Sequence, residues 1–208
     1  CRLVGSEMCI RDRFKHMNAY DNRMKMGREV IADRGVWTAK KRYILNMYDK
    51  EGVRYETPKL KIMGLEAVKS STPSACRDKL KEIFTLILTG TESDVQKFVK
   101  TFEKEFLSLP PEDVSFPRGV SDVGKWIDPL TGYKSGCPIH VRGSIVYNSY
   151  IKNNGLAKLY EEIRDGSKIK FCYMKVPNIL RENVISYPSY LPREHNLHEF
   201  VDYEKQFD

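Results

Sequence analysis

A chain of 208 residues with a hydrophobic fraction of 41% can bury a core and suits one large domain or two small ones. Its net charge of +7 and pI near 9.1 point to an acidic partner, nucleic acid first and an anionic membrane surface second, although many chains carry such an excess with no anionic ligand. No apolar run approaches the ~20 residues of a membrane span. The cysteines (Cys1, Cys9, Cys76, Cys137, Cys172) are odd in number and lack CxxC spacing, which argues against a zinc site or disulfide framework and fits a reducing cytoplasm.

Cys1 to Arg13 shows neither the apolar stretch of a signal peptide nor a clear period. It resembles a translated sequencing-adapter artefact, so residues 1–13 are set aside as non-native and fold is read from residue 14 onward. Residues 42–48 are dense in aromatic and aliphatic side chains. With a turn at Asp49-Lys50-Glu51-Gly52 and Val53 to Glu56 beyond it, they predict a β-hairpin, followed by a short strand at Leu60 to Met63. Ser71-Thr72-Pro73 places a hydroxyl cap before a helix in which Cys76, Leu80, Ile83, Phe84 and Ile87 share a face and Gly90 is the stop. Thr91 and Asp94 form a capping-box pair for a second helix, whose stripe is Val95, Phe98, Val99, Phe102 and Phe106, until Pro110-Pro111 breaks it. An irregular stretch follows to residue 136. Helices are then predicted from Pro138 through Tyr150 and over Leu156 to Ile163, and strands over Ile169 to Met174 and Val184 to Tyr187. Leu197, Phe200, Val201 and Tyr203 keep helical spacing up to Asp208 with no stop signal, so a further C-terminal piece is expected. A domain boundary is expected near Gly64, where strands give way to helices.

The chemistry-bearing residues are basic. Lys40-Lys41-Arg42-Tyr43 opens the first predicted strand, Lys59-Leu60-Lys61-Ile62-Met63-Gly64-Leu65-Glu66 closes the sheet, and Lys69-Ser70-Ser71-Thr72-Pro73 follows. Lysines supply charge and hydroxyls donate to phosphate oxygens, so this order can line a groove along a nucleic-acid backbone. A bare Lys-Lys-Arg is more often a solvated charge run; the ordered set is more specific than its parts. Cys137 and His140 lie three apart with no second ligand pair, a weak metal signal.

These strings, together with Phe116-Pro117-Arg118-Gly119-Val120, Cys137-Pro138-Ile139-His140-Val141-Arg142-Gly143, Lys168-Ile169-Lys170-Phe171, Arg181-Glu182-Asn183-Val184-Ile185 and Leu191-Pro192-Arg193-Glu194, resemble the palm–thumb junction of family B DNA polymerases of tailed bacteriophages. The resemblance implies an α+β fold: residues 14–64 as the end of the palm β-sheet, and 65–208 as a mainly helical thumb with a small β element. It implies primer–template DNA as partner, with Lys41 (Lys40 second) reaching the minor groove and Arg42 and Tyr43 beside the primer end. Lys61, Lys69 and Ser70 match positions near the primer-strand backbone; Lys134, His140 and Arg142 match the thumb's basic face. For His140, a packed or capping ring and a phosphate contact both stay open. A sliding clamp reached through a C-terminal tail, a monomeric state and the cytoplasm of an infected bacterium are also implied, and no membrane.

Nucleotidyl transfer in that family uses Mg2+ held by paired aspartates. No Asp-x-Asp occurs here, so the chain itself is expected to hold no catalytic residue, metal or cofactor and to be inactive alone, although its parent is an enzyme. Tyr187-Pro188-Ser189 echoes a nucleotide-binding motif but lies on the wrong side of the lysine strand. Two rivals remain: a stand-alone nucleic-acid-binding module, and an α+β interaction domain whose basic face binds protein or nothing.

Overall fold

The computed structural model describes residues 2–21 and 27–207; Cys1 and Asp208 lie outside them. The fold is α+β, with small antiparallel sheets and several helices, in two compact units that divide after Gly64.

The first unit begins with helix α1 (Arg2–His16), so the stretch set aside as artefact is helical; its described side chains from Met8 onward are mostly exposed. A three-stranded antiparallel sheet follows, in the order β1 (Val30–Ala39), β2 (Arg42–Lys50), β3 (Val53–Met63). The sequence reading missed β1 and divided β3. Val30, Ile31, Val36, Trp37 and Thr38 favour a strand, but Gly35 interrupts the pattern. Leu60 to Met63 is no separate strand; it continues β3 because Lys59 to Met63 pairs with Tyr43 to Met47. The β2–β3 connection is the two-residue turn Glu51-Gly52, both at positive φ, the mirror-image geometry that suits a twisted hairpin. Buried Asp49 fixes it, accepting from the Gly52 N–H at 3.0 Å and from Arg28 at 2.8 Å.

In the second unit a 3-10 turn (Glu66–Val68) leads to α2 (Ser74–Thr89) and α3 (Glu92–Phe106). The expected hydroxyl cap on α2 is absent: Pro73 is the capping residue, and the Thr72 hydroxyl instead donates to the Glu66 carbonyl at 2.7 Å. The Thr91–Asp94 capping box on α3 is present. Residues 110–136 contain α4 (Pro111–Val114), β4 (Phe116–Gly119), α5 (Val123–Trp126) and the minimal hairpin β5 (Ile127–Asp128) and β6 (Gly132–Tyr133). Helix α6 (Ile139–Asn153) then packs on β8 of the sheet β4, β7 (Lys168–Tyr173), β8 (Val184–Tyr187).

The core of this unit sits between α6 and that sheet: Val141, Ile145, Tyr147 and Ile151 against Ile169, Phe171, Val184 and Ile185. Gly143 makes the approach, since a Cβ there would lie 2.5 Å from Ser186 Oγ and 2.9 Å from its backbone nitrogen. The helix expected over Leu156 to Ile163 shrinks to a 3-10 turn (Leu156–Lys158). Asn148 is the reason: its side chain bonds both the N–H and the carbonyl of Ile163, at 2.9 and 2.8 Å, and pulls that segment out of helical pairing. A kinked 3-10 segment (Glu194–Phe200) and α7 (Tyr203–Phe207) close the unit. Buried Gln206 of α7 joins the Val114 carbonyl to the Tyr173 N–H. Cys9, Cys76, Cys137 and Cys172 are free thiols.

Candidate nucleic-acid interface

Lys40 and Lys41 do not open a strand; they form the two-residue turn between β1 and β2, closed by the Ala39–Arg42 pair. Both are exposed, and neither has an acidic partner among the described residues. Lys41 takes φ 63°, a left-handed conformation that costs a side-chain-bearing residue on the order of 1 kcal/mol. Its carbonyl lies against Gly64, where φ is 66° and a Cβ would collide with that oxygen. Only a residue without a side chain fits there, so the end of β3 holds the lysine turn in place.

Arg42 follows at the start of β2. Tyr43, half-buried, sits between Trp37 of β1 and Met63 of β3, with its ring 6.3 Å from the indole. Lys61 shares this face, being paired with Leu45 two residues along from Tyr43. Its ammonium bonds Glu29 at 2.6 Å; that contact, helped by the nearby Tyr43 hydroxyl, raises its pKa, while Glu29's carboxyl is lowered. The structure thus brings Tyr43 and Lys61 together beside the turn, and sequence reasoning did not foresee that Lys61 would already be engaged.

In the second unit Lys69 lies in the loop before α2, bonded to Glu66 at 2.8 Å, with Ser70 exposed beside it. Lys134 follows β6; its ammonium donates to the Lys125 carbonyl at 2.7 Å and stays exposed. His140 and Arg142 occupy the first turn of α6. The His140 carbonyl accepts from Ser144 and Ser186, both at 2.8 Å, and burial, with Arg118 nearby, holds its imidazole below the ordinary range. Both influences favour the neutral form of the ring in the unbound chain. Arg142 donates to Asn183 Oδ1 at 2.5 Å and lies over the Tyr133 ring at 5.7 Å; Tyr133 in turn donates to Glu182 at 2.8 Å. Arg142 therefore ties the β5–β6 hairpin to the loop before β8, next to Lys134.

Among the described residues, no three or more His, Cys, Asp and Glu side chains come together as a metal-binding group. No described helix is long and apolar enough to cross a membrane.

No family model matches the chain. It is 36% identical over 199 residues to the DNA-directed DNA polymerase of Enterobacteria phage T4, covering 90% of this chain and 22% of that protein. It is 38% identical over 192 residues to the DNA-directed DNA polymerase of Escherichia phage RB69, covering 88% of this chain and 20% of that protein. This chain is a homologue of a segment of phage DNA polymerases. It spans about a fifth of the length of these relatives. Similarity along nine-tenths of the chain includes both units, so the basic residues of the sheet and of α6 belong to one inherited segment.

Proposed function

We propose that this chain is the primer–template-gripping part of a family B replicative DNA polymerase of a tailed phage, with residues 14–64 ending the palm and 65–208 forming the thumb. The observation that carries the reading is the Lys40–Lys41 turn: two adjacent exposed ammonium groups with no acidic partner among the described residues, held by Gly64, in a chain homologous to phage polymerases. Lys41 donates to minor-groove acceptors, which correctly paired bases share, and so senses pairing rather than sequence. Lys40, Arg42, Lys69, Ser70 and Lys134 hold phosphates; Tyr43 lies beside the primer end. Mg2+ and the catalytic aspartates belong to the intact polymerase, which works in the cytoplasm of the infected cell as a monomer, with a sliding clamp as further partner. The rival is a stand-alone basic module with no polymerase parent; an Asp-Thr-Asp motif upstream in the intact reading frame decides against it.

The test is a titration of the 208-residue chain with primer–template junctions, paired and mismatched, at several salt concentrations. Binding is expected to weaken steeply with salt. Lys134→Ala should flatten the log–log slope by about 0.9 on any duplex, as loss of one phosphate contact does. Lys41→Ala should instead weaken paired termini about tenfold more than mismatched ones, the scale of a hydrogen bond from a charged donor. Primer extension with Mg2+ and nucleotides should be absent. Binding that ignores salt, or equal losses at both termini, would refute the assignment.

A further inference from the structure

The row of side chains beside the lysine turn is unusual for a solvent-facing sheet. Trp37, Tyr43 and Met63 stand opposite one another on three adjacent strands and project from one face. Trp37 is 66% exposed and Met63 43% exposed, although both are large and apolar. The indole does not stand away from the sheet. Its six-membered ring folds back over Gly35, so that a Cβ at that position would lie 2.8 and 2.9 Å from two ring carbons, and Leu45 approaches the same point at 2.5 Å. A glycine in the middle of β1 thus lets the indole lie along the sheet with one side supported and the rest open. Lys40 and Lys41 follow Trp37 by three and four residues, in the turn at the end of its strand.

We propose that Trp37 is a stacking platform for an unpaired nucleobase, of a single strand whose phosphates meet Lys40 and Lys41; this rests on the DNA-binding reading above. An aromatic ring supported on one side and adjoining positive charge is the arrangement that binds single strands with little sequence preference, because every base has a π face. Interior bases of a duplex have both faces covered by their neighbours, so the ligand is an unpaired base rather than a paired one. Opposite charge selects nucleic acid over an apolar protein segment, which would leave the two ammonium groups without partners.

The test uses the 208-residue chain with three probes: oligothymidylate, an abasic single strand of equal length, and a blunt duplex. The abasic strand carries the same phosphates without bases. The native chain should bind oligothymidylate about tenfold more tightly than the abasic strand, with indole emission quenched on binding. Trp37→Ala should remove that preference while leaving duplex affinity within about twofold, and Trp37→Phe, whose remaining indole is Trp126, should keep most of the preference but lose the quench. If the native chain binds both single strands equally, or Trp37→Ala keeps the preference, stacking is overturned and the duplex-gripping reading survives. If it binds none of the three probes, that reading fails and the stacking proposal fails with it.

Discussion

Lys41 and Lys61 carry equal charge in the same sheet, yet their electrostatic settings differ. Lys61 is already bonded to Glu29, whereas Lys41 has no acidic partner among the described residues. Lys61→Ala should therefore flatten the salt slope of DNA binding less than Lys40→Ala does, a comparison that needs only filter-binding isotherms at several salt concentrations. The Lys61–Glu29 pair lies at the surface and contributes little stability. Its sign is still defined. The Glu29 part is present above that carboxyl's ordinary value and is lost as pH falls through the lowered one; the Lys61 part is present below pH 10.5 and is lost as pH rises through the raised value. Gly64 offers a sharper test, because it alters position without altering charge. Gly64→Ala should erase the preference for paired over mismatched termini about as fully as Lys41→Ala does, with the salt slope unchanged. An intact preference in Gly64→Ala would mean that the turn is held by other contacts.

At the scale of elements, the contact between α6 and β8 depends on one missing side chain. Gly143→Ala would push a methyl group against the Ser186 backbone and displace the hydroxyl that donates to His140's carbonyl. It should cost about 1–3 kcal/mol, read as a lower urea midpoint at unchanged m-value. The elements legible from sequence were those whose cause is local. The Thr91–Asp94 box, the apolar face from Val141 to Tyr150, and the β-rich runs that became β7 and β8 all state their structure within a few residues. What escaped was decided at a distance. β1 is hidden by Gly35, whose purpose is visible only with Trp37 and Leu45 in place. The segment ending at Ile163 reads as helical until Asn148 takes both its backbone groups. Of the basic set, sequence spacing could identify Lys40 and Lys41 as neighbours, but not that Glu29 would claim Lys61 or that Arg142 would join Asn183 and Tyr133.

For the molecule as a whole, alkali is the informative stress. Burial pushes the Cys172 thiol up to about 12 and the Tyr147 and Tyr150 hydroxyls up to about 12, and raises Tyr187, which shares a buried 2.6 Å hydrogen bond with Ser115. Each group holds its proton more tightly in the folded chain. The stability tied to them is complete below the ordinary thiol value near 9 and falls as pH rises through 10 toward 12. Urea midpoints should drop steeply across that interval, and phenolate absorbance should develop together with unfolding rather than before it. A flat midpoint up to pH 12 would contradict the burial of these hydroxyls. The contact between Gly64 and Lys41 also has a bearing on engineering. The lysine turn lies at one side of the β2–β3 hairpin and the glycine that seats it at the other, so Lys-Lys-Arg-Tyr is not a portable cassette. Grafted alone onto a foreign scaffold it would carry the charge and lose the aim, whereas a transplant reaching from β1 through Gly64 would carry both.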